Sequence, residues 1–298
     1  MKIILLLLFV SNSYSLEFLH LTPRLKPGEK LLTISTGLHS EEKTYEKDFT
    51  TIDSAKQDGN LQSVTFKSAL NKNISYGVEI EGLIDGTYEE SYSGSLDFIQ
   101  DKHVPSKGIK EPVFQFYYWF DSELTFFNHA FFSSFRPKLI EPKAHEFYAG
   151  RNEFKLSYLY RFRRNYYEVS GEIFSMVYGK KEVRLDTGAE DEIESFTEVG
   201  VKFTPGLIFE NVSIHLLSSY SSTTDYNTKN QHFERNSDKG YAVEIGGKIN
   251  WTFSNGQGIS FSYLERESYY NSIEEDKTRV VEYEIDSEEY LLSWWIIL

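Results

Sequence analysis

The sequence predicts an all-β fold, a transmembrane antiparallel up-and-down β-barrel of about twelve strands. Three observations predict it. Apolar and polar residues alternate with a period of two through most of the chain, the rhythm of a strand with two unlike faces. Short connections rich in turn residues alternate with long polar ones. Aromatic residues, 16% of the chain, gather beside the short connections.

The elements follow in order. Lys2 and the apolar run from Ile3 to Val10, with small residues at Ser13 and Ser15, form an export leader over residues 1–15, cut before Leu16. Residues 16–29, with Pro23 and Pro27, carry no strand pattern. The barrel occupies 30–298. Its clearest strands run from Ile74 to Ile84, Phe154 to Phe162, Tyr167 to Ile173, Val199 to Phe203, Tyr241 to Trp251 and Tyr290 to Leu298. Weaker patterns at 30–38, 61–70, 112–120, 124–135, 212–220 and 258–265 complete the set. Short turns fall at 71–73, 121–123, 163–165, Thr204-Pro205-Gly206 and 254–258. Long polar loops fall near 39–58, 86–111, 137–150, 180–191, 222–238 and 266–277. A soluble sandwich has no reason to sort its connections by length; a membrane barrel does.

The faces follow from the same alternation. In a membrane barrel the apolar face meets lipid and the charged face lines the lumen. The inward set is then Glu79, Glu81, Lys155, Arg161, Arg163, Glu168, Glu172, Glu198, Lys202, Glu244 and Lys248. Acid and base recur four apart on single strands, Glu198 with Lys202 and Glu244 with Lys248. Trp119, Tyr167, Phe203, Trp251 and Trp294 form an aromatic girdle at the short-turn end, where amphipathic rings suit the lipid–water boundary.

The terminal strand carries a further signal. Tyr290, Leu292, Trp294, Ile296 and Leu298 alternate to the end of the chain. With the leader and the strand count, this strand resembles those of the bacterial outer-membrane β-barrel proteins over essentially all of 30–298. In that family the last strand is read by the barrel-assembly machinery and usually ends in Phe or Trp; Leu298 departs from this. The resemblance implies residence in the bacterial outer membrane, with its lipids and lipopolysaccharide as partners. It puts the short turns in the periplasm and makes 16–29 a periplasmic segment or a lumen plug.

Composition narrows the function. With 45 acidic against 31 basic residues, a net charge of −14, the chain is not a nucleic-acid binder. It has no Cys, hence no disulfide framework or thiolate metal site. Its seven His residues show no paired ligand spacing, so neither metal nor cofactor is expected. The reading is a non-enzymatic, small porin-like channel for polar or charged small solutes. The alternative is a closed or plugged barrel that works through its long loops in adhesion or surface binding. A third reading, a lipid hydrolase, rests on His129 and Ser133 on one strand face, without the His-x-Ser-Asn-Gly segment of the outer-membrane phospholipases.

Overall fold

The computed structural model describes residues 24–47, 50–92, 102–121, 126–140, 146–184, 190–229, 234–237, 239–253, 256–274 and 280–298. The leader and residues 16–23 lie outside the described residues. In chain order the strands are β1 (Lys30–Lys47), β2 (Thr50–Ala69), β3 (Ile74–Tyr92), β4 (Lys102–Ile109), β5 (Val113–Trp119), β6 (Phe127–Arg136), β7 (Glu153–Arg164), β8 (Tyr167–Tyr178), β9 (Lys181–Arg184), β10 (Glu190–Ile193), β11 (Phe196–Ile208), β12 (Val212–Thr223), β13 (Tyr226–Lys229), β14 (Glu234–Ser237), β15 (Tyr241–Thr252), β16 (Gln257–Glu274) and β17 (Val280–Ile297).

These segments make twelve antiparallel staves, because β4 with β5, β8 with β9, β10 with β11, β12 with β13 and β14 with β15 are each one stave broken by a few residues. The ring closes where β1 pairs with β17 from Leu31↔Ile297 to Glu46↔Glu282. Among the described residues, closure leaves no free sheet edge in the lower part of the ring, which is the condition for a sheet to sit in lipid.

The alternation decides the two faces. On β8, Tyr167, Ile173 and Val177 are exposed on the outer wall, while Glu168, Ser170 and Glu172 are buried inside. Tyr167 to Val177 is ten residues along the strand. At about 3.4 Å each and a tilt of roughly 40°, that spans about 25 Å, the height of an outer-membrane apolar band. A barrel with its charges inside and its apolar side chains outside is built for a bilayer.

Turn chemistry fixes the lower rim. Asn71 Oδ1 accepts hydrogen bonds from the amides of Asn73 and Ile74, an Asx turn. Asn165 takes a left-handed conformation, φ 52°, in the tight turn between β7 and β8. The expected turn at Thr204-Pro205-Gly206 is corrected here. These residues continue β11 to Ile208, and the chain reverses over 209–211 instead, closed by the Phe209 amide on the Val212 carbonyl. Pro205 is tolerated within the strand because the β11–β12 ladder skips residues 204 and 205.

The long polar loops other than 137–150 are corrected too: much of their length is paired strand. β1 and β2 stay paired to Lys47↔Thr50, with one register shift between Tyr45 and Glu46, and β3 continues to Tyr92. Above the bilayer both strand faces meet water, so alternation fades while backbone pairing persists.

Two features shape the upper lumen. The staves that contain β8, β11, β12 and β15 all break at one level, at 179–180, 194–195, 224–225 and 239–240. Stacked rings cross the staves beside those breaks: Tyr178 on Phe196 at 4.5 Å, Phe196 on Tyr226 at 4.7 Å, and Tyr226 edge-on to Tyr270 at 6.2 Å. Secondly, residues 146–150, between β6 and β7, fold inward. Phe147 packs with Leu61, Leu83 and Leu291, on strands away from its own hairpin. The Glu111 carboxylate accepts the amides of Ala149 and Gly150 at 3.1 and 3.3 Å, and any side chain at Gly108 would strike the Phe147 backbone.

Candidate functional site

The candidate site is the lumen, and it has three levels. The upper level is a cavity of about 250 Å³. Around it Arg136 and Arg151 hold Glu153 at 2.5 and 3.3 Å. Glu81 pairs with Lys110 at 2.8 Å, and His39 with Glu289 at 3.0 Å. Glu79 accepts from Gln115 at 3.0 Å.

The middle level is packed. Lys155 and Glu172 pair at 3.0 Å with 2% and 0% of their side chains exposed. Ser157 donates a second hydrogen bond to Glu172, and the Lys155 ammonium lies 4.8 Å from the Phe174 ring. Lys67 donates to the Tyr117 hydroxyl at 2.7 Å, and Tyr117 packs tilted against Phe132, ring centroids 4.7 Å apart. On the far wall Lys202 reaches Glu244 at 3.4 Å, and Arg266 bridges Glu244 and Glu198 at 3.1 and 3.2 Å. Buried pairs survive when extra hydrogen bonds satisfy the carboxylates. Ser219 does so for Glu244, and Tyr178 and Ser221 do so for Glu198.

The lower level is a second cavity, of about 360 Å³, which opens toward the short turns. Arg161 and Glu168 pair in its wall at 2.7 Å. Arg163 lies at its rim, more exposed than the other inward charges. Below it Arg24 donates to the Lys72 carbonyl at 2.7 Å and to Asp121 at 3.1 Å. Leu25 is buried with Leu31 and Ala69 beside Trp295 and Ile297.

Measured against the sequence reading, the inward charges gather as two clusters joined by the middle level. The acid and base four apart on one strand lie about 13 Å from each other, and Glu198 and Glu244 instead form ion pairs with Arg266 and Lys202 of other strands. Trp119 is corrected. It points into the barrel against Tyr117 and the Ala130, Phe132, Leu159 cluster, because β5 turns its odd positions inward. Tyr167, Phe203 and Trp251 are exposed on the outer wall. On β17, Tyr290 is exposed while Leu291 and Ser293 are buried inside. His129 stacks between Phe120 and Phe127 and shares a hydrogen bond with Tyr158, not Ser133.

Several lumen residues escaped the sequence reading. Arg266 lies one residue past the weak 258–265 pattern, and continuing the rhythm of Ser260, Ser262 and Leu264 would have reached it. Lys67 continues the rhythm of Ser63 and Thr65, and Glu153 that of Lys155 and Ser157, whereas Lys110 and Phe147 offered no comparable signal.

Outside, the tyrosines Tyr263 and Tyr290 turn their hydroxyls up to Glu265 and Glu288 at 2.9 and 3.4 Å, which marks the upper edge of the apolar band. Asp286 stands beyond it. Desolvation, with Glu284, Glu267, Glu42 and Glu265 around it, pushes its carboxyl up to about 6. A raised carboxyl is destabilising when charged, so its cost is absent below the unfolded value near 4 and grows as pH rises toward 6. Asp286→Asn should therefore stabilise the protein above pH 6 and leave it unchanged below about pH 4. Paired denaturation curves at the two pH values check this; equal effects at both would contradict it.

A closed ring of twelve staves, charged within and apolar without, is the fold of the bacterial outer-membrane β-barrels, and the chain is an integral membrane barrel of that kind. No family model and no curated relative matches it. Among solved structures it is similar to an outer membrane channel from Pseudomonas putida F1, with 10% identity and a TM-score of 0.56 over 92% of this chain and 97% of that one. It also aligns with the beta domain of a Bordetella autotransporter (9% identity, TM-score 0.44, 91% of this chain and 100% of that one). The outer membrane protease OmpT from Escherichia coli aligns at 7% identity and a TM-score of 0.35, over 91% of this chain and 96% of that one. The last two superpose too loosely to bear on function, and the first bears on the fold.

Proposed function

We propose that the barrel is a small channel for polar or charged solutes, closed at its middle level in the conformation described. The observation that carries this reading is the pair of cavities, one at each mouth, with a layer of side chains between them rather than backbone. Charged side chains on the inward face suit solutes that shed part of their water, and opposed charges orient them. The middle layer, built around Lys67, Tyr117, Lys155 and Glu172, is the barrier that must yield. The same layer favours a second reading, a closed barrel that acts through the hairpins above the membrane.

Planar-bilayer recordings separate the two. Wild-type protein should give small conductance steps, and Tyr117→Ala should give larger ones by removing a ring from the layer. No steps from either protein, with folding verified, would leave the closed-barrel reading standing. The inward charges, the outer rings and the terminal strand keep the roles of lumen lining, girdle and assembly signal within this proposal. So do the export leader and contacts with lipopolysaccharide.

A further inference from the structure

The two mouths differ in chemistry, and we infer that the lower cavity is a binding site for small organic anions, a carboxylate carried on an apolar body. The upper cavity is lined by seven carboxylates against five Lys and Arg side chains. The lower one reverses the balance, with Arg161, Arg163 and Lys248 against Glu168 and Glu210. Glu168 is already held by Arg161 at 2.7 Å, and Glu210 is exposed in the turn that follows β11.

Lys248 is left over. It is 1% exposed, and its Nζ has no hydrogen-bond partner among the described residues. Across the ladder from it stands His215, whose ring is packed against Gly206 and whose Nδ1 also lacks a partner among them. A buried ammonium with no counter-charge is costly, and an anion in the cavity beside it supplies that charge. Below, Arg24, Arg163 and Arg164 line a wider opening of about 560 Å³, a field that draws anions toward the cavity.

The remaining wall sets the rest of the ligand. Leu31, Phe209, Val212, Trp295 and Ile297 make it largely apolar, which suits a ring or short chain and offers little to a bare inorganic anion. The part of this site in transport rests on the channel reading; binding itself does not.

The test uses the full barrel in detergent, with cyclohexanecarboxylate as probe and its neutral isostere cyclohexanecarboxamide as control. Binding is followed by calorimetry and by tryptophan fluorescence, since Trp295 lines the cavity. Saturable binding of the carboxylate is expected, at least tenfold tighter than the amide. Lys248→Met should weaken it tenfold or more, and Arg163→Gln, at an exposed position that leaves folding intact, by severalfold. Equal binding of acid and amide would overturn the proposal by reducing the cavity to an apolar pocket. Absence of saturable binding would overturn it, as would unaltered binding by Arg163→Gln together with any folded Lys248→Met protein. Conductance of the same preparation keeps the readings apart. Binding without conductance sinks the channel and keeps the site, and conductance without binding does the reverse.

Discussion

Replacing Lys155 by Met should destabilise the barrel by about 3–5 kcal/mol, because it takes an ammonium away from the buried carboxylate of Glu172. The pair is buried, with 2% and 0% of the side chains exposed. Ser157 donates a hydrogen bond to the carboxylate, and a neutral donor does not replace the charge of the ammonium. Replacing both partners, Lys155→Met with Glu172→Leu, should cost far less than the single change or even stabilise, since desolvation offsets most of what a buried pair contributes. Urea titration of the refolded protein in lipid, followed by tryptophan fluorescence, measures both variants. A single replacement as mild as the double one would mean that water reaches Glu172 and that the middle level is open.

The second large effect lies on the opposite face. Ile173 and Val201 are cross-strand partners near the centre of the apolar band, 56% and 50% exposed on the outer wall. Arg at either position should cost about 2–4 kcal/mol in a bilayer, against about 0–1 kcal/mol for Leu207→Arg near the lower rim. The same titrations in lipid give the comparison. Equal costs at the middle and the rim would show that the band is misplaced along the barrel axis.

Both effects rest on a division of faces that was legible in the sequence, because each membrane-embedded stave separates lipid from charge residue by residue. The reading was sharpest on β7, β8 and β15, where the alternation is strict. It failed where the physics that writes the pattern is absent. Above the bilayer, Glu41 to Lys47 and Asp53 to Asn60 pair as well as any membrane segment, yet water on both sides leaves their order unconstrained. Pro205 read as a turn because its missing donor is more often accommodated there than inside a ladder. Within one hairpin the turn at 163–165 already brings Arg161 near Glu168, but pairs beyond the adjacent strand were out of reach, since Lys202 finds Glu244 across an intervening strand and only the curvature of the closed ring brings them together. Phe147 was hidden for a different reason: an inward-folding loop has no period, and its contacts are with four distant strands.

The line of breaks above the bilayer has a mechanical meaning. At that height the regular ladders of four neighbouring staves break together, and the line is spanned by a few backbone hydrogen bonds, Glu194 to Asn227 and Thr223 to Gly240 among them, and by ring stacking from Tyr178 through Phe196 to Tyr226. Stacked rings slide with little resistance, whereas a hydrogen-bonded ladder shears only when many bonds part at once. The line is a perforation. A tug on the hairpins formed by β9 with β10 and by β13 with β14 would be spent there as bending, and the part of the cylinder gripped by lipid would scarcely feel the load.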